Sequence, residues 1–336
     1  TYTFVLTDLG MNPYTATNLP YSFEQQLWRA KAAYRVGNTA NVAVGVDHDS
    51  HQRTFQLVNE TTELTFWTRI KLPTVASIEP TVKAAHAQRE RSGLNAQTYL
   101  PVLAQQNPLM RVYNLSDRDR DRLGLRLDAT LAEKLGVGAE VEYRQDDYET
   151  GILGRTEGDS FSATLDLSYA LSQGTQAHAW FTHERQGSDQ AGSSTFAAAD
   201  WILADEATTN SVGAGLEWKP EESPVTFSAD MAYSRSSGSM SFQNGDVLPN
   251  LVSSGMNLGL GGAYALRPHL ELRLDYRFAQ YREEDWTRDG MVSTSLLNVL
   301  GLASPSIHEE QHLVGLTLRY TLPTGDEESG DDDDDK

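Results

Sequence analysis

From Arg122 to Leu131 the chain alternates with a period of two. Leu123, Leu125, Leu127, Ala129 and Leu131 fall on one parity, and Arg122, Arg126, Asp128 and Thr130 on the other. Successive side chains of a strand point to opposite faces, whereas a helix needs apolar spacings of three and four, so the segment reads as a strand with one apolar and one charged face. The pattern recurs where Phe161, Ala163, Leu165, Leu167 and Tyr169 oppose Ser162, Thr164, Asp166 and Ser168. It returns where Leu270, Leu272, Leu274, Tyr276 and Phe278 oppose Glu271, Arg273, Asp275 and Arg277, and again from Val314 to Tyr320. About fourteen such segments can be counted, starting near Thr1, Phe23, Ala40, Glu63, Val75, Arg122, Val137, Ser160, Thr175, Asn210, Pro224, Ser254, Pro268 and Gln311. Most are long enough for a tilted membrane-spanning strand, which takes about ten residues.

The connections alternate short and long. Short turns are expected at Gly37-Asn38, Leu72-Pro73, Ala132–Gly136, Ser172–Gly174, Lys219–Ser223 and Arg267-Pro268. Between them fall long links at 10–20, 49–61, 89–121, 146–159, 186–209, 235–253 and 283–310. Outer-membrane barrels have short periplasmic turns and long extracellular loops, and girdles of aromatic residues at both membrane interfaces. Tyr34, Tyr169, Trp218, Tyr264 and Tyr320 sit on the apolar parity close to a short turn or the last strand's end, which assigns them to the lower interface. Phe181, Tyr233, Tyr276 and Phe278 form the opposite girdle. Lipid offers the backbone no hydrogen-bond partner, so a membrane sheet must close on itself. The chain is therefore expected to be all-β: an antiparallel transmembrane barrel in the bacterial outer membrane, occupying residues 1–322. Residues 323–336 form an acidic, disordered tail ending in a tag-like Asp331–Lys336.

Composition excludes several other classes. No window supplies the roughly 20 apolar residues of a transmembrane helix. With no cysteine among 336 residues, disulfides, thiol nucleophiles and Cys-x-x-Cys-His haem attachment are absent, so the chain binds no c-type haem covalently. The net charge is −20; Asp326–Lys336 carries eight acids and one lysine, leaving −13 for the rest, which argues against nucleic acid as a partner. No Gly-x-Ser-x-Gly context supports a nucleophile, and an enzyme is not expected.

The charged parity supplies the expected lumen lining: Arg29, Lys31, Arg69, Lys71, Arg126, Glu140, Glu142, Arg144, Glu217, Arg273, Asp275, Arg277 and Arg319. These residues suit either a protein passenger that pairs with them or a water-filled pore. Asp117, Asp119 and Asp121 have the spacing that opens a calcium loop. Its sixth position, however, is Arg122 rather than Gly, and its twelfth is Asp128, so the interleaved arginines read as an ion-pair ladder entering a strand. His178 and His183 point to opposite faces of one strand, and His308 and His312 share a face about 13 Å apart, so no zinc motif results. Two apolar stretches in long loops, Phe196–Leu203 (read as a short helix) and Val292–Leu302, suggest contact with an extracellular partner.

One segment, Asn107-Pro108-Leu109-Met110-Arg111-Val112-Tyr113-Asn114-Leu115-Ser116-Asp117-Arg118-Asp119-Arg120, resembles a motif of the MtrB/PioB family of outer-membrane barrels. The carriers of the resemblance are Asn107, Pro108, Tyr113, Asn114, Asp117 and Arg118. It implies a structural sheath for transmembrane electron transfer. A periplasmic multihaem cytochrome would sit in the lumen, an extracellular cytochrome would meet the loops, and haem would be present only through those partners. The chain departs from the family in length and in lacking the cysteine pair of some members, which fits either a truncated larger barrel or a smaller relative. The alternative functions are a passive porin for ions or small solutes and a surface adhesin or receptor acting through its loops.

Overall fold

The computed structural model describes residues 3–6, 14–17, 20–37, 40–93, 113–149, 153–195, 197–243, 248–286 and 306–322. Two short strands, β1 (Thr3–Leu6) and β2 (Tyr14–Thr17), pair only with each other. The remaining thirteen form one meander: β3 (Phe23–Val36), β4 (Ala40–Arg53), β5 (Glu60–Lys71), β6 (Ile78–Arg91), β7 (Arg118–Ala132), β8 (Leu135–Tyr148), β9 (Gly154–Ser172), β10 (Thr175–Gly192), β11 (Trp201–Trp218), β12 (Val225–Phe242), β13 (Leu251–Arg267), β14 (Leu270–Glu284) and β15 (Ser306–Tyr320). Every neighbouring pair is antiparallel and consecutive in sequence.

Two expectations are refined and one is corrected. The strand expected near Thr1 is a four-residue arm of a separate hairpin, too short to span a bilayer, so among the described residues the large sheet holds thirteen strands, against the about fourteen expected. The sheet is open: β3 and β15 are its two edges, with no pairing between them among the described residues. The proposed helix at Phe196–Leu203 is not one, because Trp201–Leu203 opens β11, with Trp201 opposite Gly192; Phe196 itself and Val292–Leu302 lie outside the described residues.

The long links are also shorter than alternation suggests. Those expected at 186–209 and 235–253 shrink to 193–200 and 243–250 because β10, β11 and β12 each run 18 residues. Beyond the membrane both faces of a strand meet water, so apolar–polar alternation fades while the ladder continues. On β12 the polar run Ser234-Arg235-Ser236-Ser237-Gly238-Ser239 carries the strand on past Tyr233. On the short-turn side Gly37 and Gly174 have φ of +56° and +83°, the left-handed region that glycine enters without steric cost.

The burial pattern is inverted relative to a soluble protein. Among the described residues only Val58, Ala87, Leu153, Ala191 and Ala263 are buried apolar side chains. Trp28 is 70% exposed, Leu316 71%, Leu274 55% and Leu165 46%, and all lie on the apolar parity. Such a continuous exposed apolar face requires a non-aqueous neighbour, and an acyl-chain layer supplies one.

Candidate functional site: the polar face of the sheet

Directly opposed residues of neighbouring strands share a face, so the register traces each face across the sheet. One row of directly opposed residues runs Asn41, Lys71, Thr81, Arg126, Glu140, Thr164, Thr182. The next, one step toward the loops, runs Ala43, Arg69, Lys83, Gly124, Glu142, Ser162, Glu184. The thirteen residues expected to line a lumen all fall on this one face: Arg29 and Lys31 lie opposite Asp47 and Gly45, and Arg144 lies opposite Arg122. Glu217 lies opposite Gln176, Arg273 and Asp275 opposite Ala263 and Gly261, Arg277 opposite Gly259, and Arg319 opposite Glu271. Tyr34, Tyr169, Trp218, Tyr264 and Tyr320 fall on the other face, opposite Val42, Ala177, Phe227, Leu272 and Leu270.

From β5 to β9 several charges on the polar face are paired between strands. Near the short turns Lys83 Nζ donates to Glu140 at 2.6 Å, and Arg126 lies 2.8 Å from Asp128 and 3.4 Å from both Glu140 and Asp166. Nearer the loops the Asp-Arg repeat resolves into two faces. Arg118 and Arg120 turn inward, Arg118 reaching Glu63 at 2.5 Å and Arg120 gripping Asp146 at 2.5 and 2.8 Å. Asp119 and Asp121 fall on the opposite face, where Asp121 meets His86 at 2.8 Å. The repeat is thus not the internal ladder that its spacing suggests, because period two separates its acids from its bases.

The residues of the family motif that fall among those described anchor this cluster; Asn107 and Pro108 lie outside them. Tyr113 and Asn114 belong to a 3₁₀ turn, Tyr113–Leu115. Arg89 on β6 clamps that turn, donating to the Tyr113 and Ser116 carbonyls at 2.6 and 2.8 Å. Asp117 accepts from the Arg91 backbone N–H at 2.7 Å, and Arg155 stacks 4.4 Å from the centre of the Tyr113 ring. Arg118 is 8% exposed. Sequence reading gives Arg89, Arg91, Glu63 and Asp146 no role, and it sets Arg120 against the neighbouring aspartates rather than against Asp146. The Arg89-x-Arg91 repeat was visible, but only the register brings it against the motif.

Rings on the polar face lie flat. Trp67, Trp180 and Trp201 stand directly opposite Gly45, Gly213 and Gly192, and His178 opposite Gly215. A Cβ at Gly213 would lie 2.5 Å from the Trp180 ring, so each glycine is the seat on which a ring rests. Trp67 also donates from Nε1 to Asp47 at 3.2 Å. Smaller residues cover the face between β11 and β13, with Ser211 on β11, Ser228, Ala232 and Ser234 on β12, and Gly259 and Gly261 on β13. Along β12–β15 this face opens into a groove of about 890 Å³ lined by Asp230, Asn257, Arg273, Asp275 and Arg277. Among the described residues no group of three or more His, Asp or Glu could hold a metal ion.

Comparison with known proteins agrees with this architecture. The crystal structure of the ferric-catecholate import receptor Fiu from E. coli K12, in its open form, superposes with a TM-score of 0.56 at 7% identity, covering 78% of this chain and 55% of that one; the likeness concerns the fold. Outer membrane protein MtrB of Shewanella baltica (strain OS185) is 26% identical over 316 residues, 93% of this chain and 45% of that protein. The chain thus spans about half the length of the curated relative it matches. A family model described as "Putative outer membrane beta-barrel porin, MtrB/PioB" matches residues 2–322. With this match over nearly its whole length, a sheet apolar on one face and ion-paired on the other, and the Tyr113–Arg118 motif built into that polar face, the chain belongs to the MtrB/PioB family of outer-membrane β-barrels.

Proposed function

We propose that this chain forms wall of a sheath that carries a multihaem c-type cytochrome through the outer membrane, so that electrons cross on the passenger's haems. The carrying observation is the character of the polar face. Between β5 and β9 several of its charges are paired from strand to strand, and the tryptophans of this face are laid flat on glycines rather than projecting inward. A wall of that kind accepts a folded passenger without obstruction. At about 4.8 Å per strand interval the thirteen strands give roughly 58 Å of hydrogen-bonded width, wider than the barrels of about eight strands whose interiors are filled by side chains and short of those of roughly 16–18 strands that leave an aqueous channel. The chain has no cysteine for haem attachment, so haem belongs to the partner: a periplasmic cytochrome in the lumen, with an extracellular cytochrome at the loops. The barrel does no redox chemistry of its own; it supplies a dry lipid seal outside and a polar surface inside.

The second reading is a passive porin, favoured by the wording of the family description and by the open groove along β12–β15. Mild-detergent purification of the intact native protein, read by visible absorption and a haem stain, separates the two. Haem in a second, co-purifying polypeptide is the result expected of a sheath. A haem-free barrel that conducts ions in a planar bilayer overturns the sheath and leaves the porin.

A further inference from the structure

On the apolar, outward face the acyl-facing residues give way to polar ones before the strands end. On β12 the outward series Phe227, Ala229, Met231, Tyr233 is followed by Arg235; on β14 the series ending at Phe278 is followed by Gln280 and Arg282. The register joins them: Arg235 lies opposite Ser254, and Ser254 lies opposite Arg282. Two strand intervals of about 4.8 Å separate the two arginine backbones, with one hydroxyl between them. Both arginines are exposed; Arg235 has no ion-pair partner among the described residues, and Arg282 acts on the nearby Glu310 carboxylate without closing an ion pair with it.

The nearby outward acids are already engaged or lie off the row. Glu310 accepts from Gln280 at 2.6 Å and meets His308 at 3.1 Å. Glu206 pairs with Arg185 at 2.7 Å, and Glu284 stands one step nearer the loops. In a chain of net charge −20, two guanidinia with no direct ion pair, bracketing a serine at the border of a lipid-facing surface, form a local basic spot. Directly membrane-ward lie Tyr233 and Met256, then Met231 and Leu258, an apolar bed that continues the acyl-facing surface.

We infer that Arg235, Ser254 and Arg282 bind the phosphorylated headgroup of a membrane lipid, whose acyl chains lie on the Met231–Leu258 bed. Guanidinium forks match phosphate oxygens bidentately, and the serine hydroxyl donates a further hydrogen bond between them. The long loops lie on this side of the sheet, which assigns the lipid to the outer leaflet. Basic residues beside a headgroup layer contribute binding that falls roughly fivefold for each one removed, so about 25-fold for both.

The test is native mass spectrometry of the intact protein in dodecyl maltoside, titrated with diphosphorylated lipid A and with the same lipid lacking its phosphates. Wild-type protein should retain the phosphorylated form selectively. The double substitution Arg235→Gln/Arg282→Gln should weaken retention by about that factor with unchanged circular dichroism, while Arg235→Lys/Arg282→Lys should keep part of it. Equal retention of the dephosphorylated lipid, or full retention by the glutamine variant, overturns the site. Displacement of the lipid by millimolar inorganic phosphate alone would mark a free-anion site and overturn the lipid assignment as well.

Discussion

Asp146 shows how much one residue of the polar face carries. Its carboxylate, 6% exposed, accepts two hydrogen bonds from Arg120 and lies 3.7 Å from Arg144 Nε, an atom that is itself buried without a hydrogen-bond partner. Removing this anion leaves two guanidinia facing each other in a partly desolvated site. Breaking such a pair from one side costs more than the pair contributes, about 3 kcal/mol. Asp146→Asn should therefore lower the denaturant midpoint of the barrel measured in micelles, and Asp146→Asn/Arg120→Gln should recover part of that loss; a single variant as stable as wild type would refute the account. Gly213 makes a steric counterpart. A valine there drives the Trp180 ring off its seat, at a cost of about 1–3 kcal/mol, whereas Gly262, with nothing within 4 Å of an added Cβ, should accept alanine without loss. Tryptophan emission read alongside unfolding checks both, since only the Gly213 variant should shift the spectrum.

At the scale of elements, the joint between β10 and β11 is held by one carboxylate. The Asp200 side chain accepts from the Ser194 backbone N–H at 3.0 and 3.1 Å and from the Ser194 hydroxyl, while its own N–H reaches the Gly192 carbonyl at 3.0 Å. These donors hold the Asp200 carboxyl below the usual carboxylate range, with the Ser194 hydroxyl contributing most. A depressed folded pKa means that the clamp is complete at neutral pH and is lost as pH falls through that lowered value, below the range of an ordinary carboxylate. Trp201 adjoins Asp200 and reports the change. Its fluorescence should titrate with a midpoint below that of a free aspartate and show no such step in Asp200→Asn. A midpoint at or above the free value would contradict the clamp. Strand length also belongs to this scale. The ladders of β9 to β12 outrun the apolar belt because backbone pairing needs no apolar side chain, so these extensions were invisible to alternation.

For the whole molecule, strand parity is decisive. Twelve antiparallel steps separate β3 from β15, so the two edges run in the same direction, and joining them directly would make a parallel pair in an antiparallel wall. An edge of unpaired N–H and C=O groups is untenable in lipid. Antiparallel closure therefore requires an odd number of further strands between β15 and β3. Cysteines at Ala30 and Leu316 in the intact membrane protein should fail to cross-link, and efficient disulfide formation would refute this closure. The inward and outward sets, the order of the strands and the side bearing the short turns were legible in the sequence, because period-two alternation and turn residues are local consequences of a pleat with lipid on one side. The family kinship was legible too, in the motif around Tyr113–Arg118. What required the tertiary structure was everything that depends on register: which glycine seats which tryptophan, that Arg89 holds the motif while Arg118 and Arg120 reach Glu63 and Asp146, that Arg235 and Arg282 share a row, and that the sheet stays open after thirteen strands. Across the long links the pairing partners lie up to tens of residues apart, as for Arg89 and Arg118 or Trp180 and Gly213, and no short turn fixes the offset at which those strands meet.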